Sequence, residues 1–194
     1  MKFVVFSVVY FVAVILLAHF FAPPGYHWAQ NTISELASQG HKHNWIMQVG
    51  FIGFGILLNV GIISKFIAAK RVIYPDVLIM VYGAAILMSG FFCAEPIDKS
   101  ISYSLTEARV HSIFAFVAGI SFSLSILWYL ILSPNPYGKL FHLVFLVLTL
   151  GSSMLFGLSE NGVIGIGKGV IQRILYSTSF IWLLVGQYWR LLQG

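Results

Sequence analysis

With 194 residues, 59% of them hydrophobic and only 9% charged, and a mean hydropathy of +0.90, the chain is too apolar for a water-soluble globule and belongs in a bilayer. Its formal charge of +5 comes from cations scattered at the ends of apolar runs, with no basic stripe or patch, which excludes nucleic acid as a partner. The lone cysteine, Cys93, excludes an internal disulfide framework and reads as a packed apolar side chain.

Runs long enough to cross about 30 Å of hydrocarbon, at about 20 residues each, occur six times: Phe3–Phe21, Trp45–Phe66, Tyr74–Phe92, Val110–Leu132, Tyr137–Leu158 and Val170–Leu192. They predict an all-α integral membrane bundle of six transmembrane helices, with residues 1–194 as a single transmembrane domain. The first run follows Lys2 like a signal peptide, but its apolar core is longer than a signal core and "FFAPPGYHW" offers no small-x-small cleavage site. It is therefore read as a helix.

The first loop holds the most polar stretch of the chain, "NTISELASQGHKHNW". "TISE" matches the capping box, in which Thr32 caps the first amides of a helix and Glu35 reaches back. Ile33, Leu36 and Ala37 then share one side and Ser34, Glu35, Ser38 and Gln39 the other, closed by Gly40. This predicts a short interfacial or re-entrant helix over Ile33–Gln39 that acts as a lid. His41 and His43 either chelate a metal with Glu35 or flank Trp45 as interfacial anchors.

The second loop carries Lys65, Lys70 and Arg71, and the fourth, "SPNPYGK", is a tight proline turn. With the two ends, Lys2 and Arg190 included, this side holds six of the eleven cations. The dense triplet in a short loop predicts both termini in the cytoplasm and a plasma (inner) membrane location. Glu35, Glu95, Asp98, Glu107 and Glu160 fall on the opposite side, and with them His27, His41 and His43.

In the third loop "SLTE" repeats the capping box, so Glu107 either caps the fourth helix through Ser104 or serves a site. His111 follows Glu107 at i+4 on the same helical face, an acid-base or ligand pair in one reading and a satisfied interfacial histidine in the other. "GVIGIGKG", Gly162–Gly169, opens the sixth span, where converging amides bind an anion or glycines permit close packing. Arg173 lies about one turn inside that span, where an unpaired charge is costly. The expected partner is Glu35, Glu107 or Glu160, with His111 bordering the same cavity.

"NTISELAS", "EARVHSIFAF" and "GKGVIQRILYSTSFIW" together resemble the prokaryotic six-helix membrane family known as domain of unknown function nine-nine-eight. The resemblance covers nearly the whole chain. Glu35 stands where family members usually carry aspartate, and "FFCAEPID" is an imperfect match to a family turn. It implies the fold and topology, and carries over Ser34, Glu35, His111 and Arg173 as matching positions, but it implies no activity.

Three functions follow from these residues. One is an enzyme or lipid-modifying protein with Glu35, Glu107 and His111 as catalytic groups, and Ser34, Lys168 and Arg173 holding a lipid or anionic amphiphile. Another is a non-catalytic lipid-binding or structural protein in which the same cluster is a polar plug. The third is a redox protein that binds haem through His19 and His111. Membrane lipids and a small amphiphilic ligand are the partners expected; the residues name no cofactor, metal or oligomeric state.

Overall fold

The computed structural model describes residues 2–191, with side chains through residue 186. Leu192 and the Arg190 side chain lie outside the described residues. Six helices run α1 (Lys2–Phe20), α2 (Asn44–Ala69), α3 (Tyr74–Ser89), α4 (Leu105–Leu132), α5 (Pro136–Glu160) and α6 (Lys168–Leu191), and no strand occurs among the described residues. Five of them, all but α3, are long and apolar enough to cross a membrane.

Each helix packs antiparallel against the next. Val14 of α1 faces Gly50 of α2 while Val4 faces Gly61, Lys65 of α2 pairs with Asp76 of α3, and Pro75 and Ser89 of α3 meet Ser125 and His111 of α4. The start of α1, the end of α6 and the α2–α3 and α4–α5 turns therefore share one end, and the three longer loops share the other. Gly55 shows how closely α2 and α3 approach: a methyl group there would run into the Gly83 carbonyl.

The centre of the bundle is aromatic. Phe11, Phe54, Tyr82, Phe122 and Trp182 pass contacts from α1 through α2, α3 and α4 to α6, with ring centroids 4.8–6.1 Å apart. Hydroxyls inside the helices, such as Ser121, Ser153 and Ser179, donate to carbonyls three or four residues back and so cost little in a lipid setting. The seam between α1 and α6 is packed more lightly than any pair of consecutive helices: they touch through Phe11 against Tyr176 and Phe180 and through His19 against Arg173.

Two expectations change. Helix α3 ends at Ser89, three residues before the predicted end of its span, and its sixteen residues rise only about 24 Å. The first loop holds a single 3-10 turn, Ser34–Ala37, in place of a helix over Ile33–Gln39. Ser38 leaves it in an extended conformation and bridges to Ala94, and the backbone of Ala37 and Gln39 bonds Ala94 on either side. Pairing with the third loop supplies the hydrogen bonds that another helical turn would have made.

Candidate functional site

The polar side chains at the long-loop end form two groups. The first is built on the amino end of α6, against which the first loop folds. A methyl group at Gly169 would strike the Trp28 and Asn31 carbonyls, so only glycine lets this backbone approach. The Val170 amide donates to the Ala29 carbonyl at 3.1 Å, and Gln172 holds Ile33 N at 2.6 Å and Ser34 Oγ at 3.3 Å. Here the helix amino end meets carbonyl oxygens, a favourable alignment.

Glu35 completes the predicted capping box: its carboxylate accepts from Thr32 N at 2.5 Å, and its own amide donates to Thr32 Oγ1 at 3.1 Å. The other carboxylate oxygen takes Lys168 Nζ at 2.9 Å, tying the turn to α6. Ile33, Leu36 and Ala37 are buried beneath this turn.

Arg173 does not meet a carboxylate. Its Nη1 donates to the carbonyls of Asn31 (3.0 Å) and Gly169 (2.9 Å), and its Nη2 to Tyr26 Oη (2.6 Å) and His19 Nε2 (2.8 Å). No described carboxylate lies within salt-bridge distance of it. The expected pairing fails because Glu35 is already taken by Lys168 and Thr32, Glu107 serves the third loop, and Glu160 is exposed at the end of α5. His19 Nδ1 lies 2.7 Å from the Ile15 carbonyl and so carries its proton there, leaving Nε2 to accept from Arg173. Burial raises the Tyr26 phenol above its ordinary range against the opposing pull of Arg173, and its hydroxyl donates on to the Thr32 carbonyl at 3.2 Å.

The second group belongs to α3, α4 and the third loop. His111 Nδ1 lies 2.9 Å from the carbonyls of both Ser89 and Phe92, closing the end of α3. Glu107 accepts from the Cys93 amide at 2.8 Å, while Ser104 Oγ caps the Glu107 amide. The Ser104 amide goes to Gln39 Oε1, so only half the predicted capping box forms there. Burial first and Glu107 second push the Cys93 thiol up to about 11. His111 packs on Phe51 and does not border the Arg173 region, which corrects the single-cavity expectation.

His19 and His111 thus sit in separate groups and share no hydrogen bond. The His41 and His43 rings touch at 5.9 Å, and no three potential metal ligands gather among the described residues. Burial, then His43, lowers the His41 pKa.

Beside Arg173 opens a cavity of about 430 Å³ between α1 and α6. Its floor is Val12, Ile15 and Leu16 of α1 with Tyr176 and Phe180 of α6, Trp28 and Ile33 of the first loop form its roof, and His19, Arg173 and Ser177 are its polar members. The guanidinium lies 5.9 Å from the Trp28 ring centroid. The sequence reading missed Tyr26, Trp28 and Gln172; the Pro23-Pro24-Gly25 turn, which precedes Tyr26 and Trp28 where they meet Arg173 of α6, was the available signal for those two.

A third polar group, at the opposite end, was also missed. Asp76, fully buried in the first turn of α3, accepts from Lys65 of α2 and from Tyr129 of α4, the latter at 2.6 Å. Tyr129 stacks on His142, which accepts from the Trp182 indole at 3.2 Å.

No curated protein and no solved structure matches the chain. Residues 5–186 match the family described as "Protein of unknown function (DUF998)", nearly the whole length of the chain, and the chain belongs to that family.

Proposed function

We propose that this is a six-span protein of the plasma membrane, with both termini cytoplasmic, that binds a membrane amphiphile in the groove between α1 and α6. The observation that carries this reading is the groove's polarity gradient. A floor of Val12, Ile15, Leu16 and Phe180 runs to a polar end at Arg173 and His19 beneath the first loop, in a volume suited to a small ligand. The lightly packed seam offers sideways entry from lipid. Lys65, Lys70 and Arg71 at the terminal end support the cytoplasmic assignment.

Binding is favoured over catalysis because the acid-base candidates do not converge. Glu35 is bound to Lys168 and Thr32, Glu107 to a backbone amide, and His111 to two carbonyls. In this reading Ser34, Glu35 and Lys168 fasten the roof of the groove, and Glu107 and His111 hold the third loop. The test is native mass spectrometry of the protein extracted in mild detergent. Wild type carries a co-purifying amphiphile, and Leu16→Trp, which fills the groove from its lipid-facing edge, loses it and melts where wild type stripped of the amphiphile melts. Retention by the filled variant, or an empty wild type in native membranes, refutes the reading.

A further inference from the structure

The chemistry of the polar end narrows the ligand. An arginine has five N–H donors, and four of those on Arg173 are engaged by Asn31, Gly169, Tyr26 and His19, leaving Nε–H. Neither the Trp28 indole N–H nor the Ser177 hydroxyl is hydrogen-bonded to any described residue, and Trp28 and Ser177 are both among the residues that line the groove. On the acceptor side, His19 Nε2 is occupied by Arg173, and Glu35 is turned to Lys168 and Thr32. The free valences are therefore donors, with Ser177 able to act either way.

Charge points the same way. The Lys168–Glu35 pair is internally neutral, whereas the four acceptors around Arg173 are uncharged, so a full positive charge remains beside an apolar floor. An unneutralised cation in a low-dielectric setting attracts an anion far more strongly than it would in water. A cationic head group meets at most the Ser177 oxygen as an acceptor and is repelled by the Arg173 charge.

Resting on the amphiphile-binding reading above, we infer that the ligand is a single-chain amphiphile with a small anionic, acceptor-only head. A carboxylate or phosphate would be held by Arg173 Nε, Trp28 Nε1 and Ser177 Oγ, with its chain along Ile15, Leu16 and Phe180. A single chain matches a cavity of about 430 Å³ between two helices that still touch at Phe11.

The experiment titrates the purified full-length protein in nanodiscs of neutral lipid with four probes that share one chain: dodecanoate, dodecyl phosphate, dodecanol and dodecyltrimethylammonium. Inorganic phosphate is the fifth probe. The two anionic amphiphiles are expected to bind at least about tenfold more tightly than the alcohol or the cation, and inorganic phosphate not measurably. Arg173 also ties the first loop to α6, so the contacts are tested with Trp28→Phe combined with Ser177→Ala, which is expected to weaken anion binding several-fold and leave dodecanol unchanged. Equal binding of all four amphiphiles overturns the head-group assignment and leaves the groove standing. Binding of none overturns the groove itself. Inorganic phosphate binding as tightly as dodecyl phosphate makes the ligand a free anion and refutes the amphiphile. Full anion affinity in the double variant refutes Trp28 and Ser177 as donors.

Discussion

The Lys168–Glu35 pair fastens the roof of the groove, and its strength can be measured against a control in the same molecule. Side-chain exposure is 12% for Glu35 and 32% for Lys168, compared with 46% and 70% for the Glu95–Lys99 pair at i, i+4. Exposed ion pairs are worth about 0.2–1 kcal/mol, whereas truncating one partner of a fully buried pair costs about 3–5 kcal/mol. Glu35 keeps Thr32 and Asn31 as donors when Lys168 is lost, which softens the penalty. A coupling of about 1–2 kcal/mol between Glu35→Gln and Lys168→Met follows, measured by a double-mutant cycle on thermal unfolding in detergent. In a chain of this size that corresponds to roughly 2–8 °C in melting temperature. The Glu95–Lys99 cycle, run in parallel, is expected to give no more than about 0.5 kcal/mol. Equal couplings for the two pairs, or a Lys168→Met protein that melts like wild type, would show that the roof does not depend on this contact.

His111→Phe leaves the Phe92 carbonyl without its His111 donor and the Ser89 carbonyl with only the long contact from the Phe92 amide, and is expected to destabilise the protein by about 1–3 kcal/mol, while amphiphile affinity at the α1–α6 groove is unchanged; lost affinity would mean that the two polar groups are one site. A Cys93 thiol held near 11 has about a hundredfold fewer thiolates at neutral pH than one at its ordinary value, so maleimide labelling is slow, and Glu107→Gln, which removes a cause of the upward shift, accelerates it. In a Cys93→Ser background, Lys99→Cys is expected to label from outside intact cells and Tyr137→Cys only after permeabilisation; the reverse pattern inverts the topology.

Six apolar runs and the family resemblance were legible because hydrophobic length and local motifs are written consecutively. The "TISE" box is a local signal of this kind, and Thr32 and Glu35 make both of its hydrogen bonds. The Glu35–Lys168 contact spans 133 positions, and no local pattern encodes it. The end of α3 was misjudged because Gly90, Phe91 and Phe92 extend its apolar run without extending its helix: their amides close short turns onto Leu87, Met88 and Ser89, and the Phe92 carbonyl is met by His111 from the neighbouring helix. Asp76 escaped attention as a lone acid near a basic turn. Tyr129 and Ser125, four apart on α4, were the matching face that could have revealed its burial.

The misplaced partner of Arg173 has a physical explanation that bears on function. The first loop lies over apolar helices, and its carbonyls at Ala29 and Asn31 need donors where water is scarce. Val170 and Arg173 of α6 supply them. Satisfying the Asn31 carbonyl requires only an N–H, which an uncharged amide provides, as Gln172 does one residue earlier for Ser34. A guanidinium at this depth carries an insertion penalty that a neutral donor avoids. Hydrogen bonding alone therefore accounts for a donor at position 173 but not for its charge. The feature next to that charge is a groove with an apolar floor and no carboxylate among its lining residues. A charge that no described carboxylate compensates, at the mouth of a cavity open to lipid, is what an anion-headed amphiphile would neutralise.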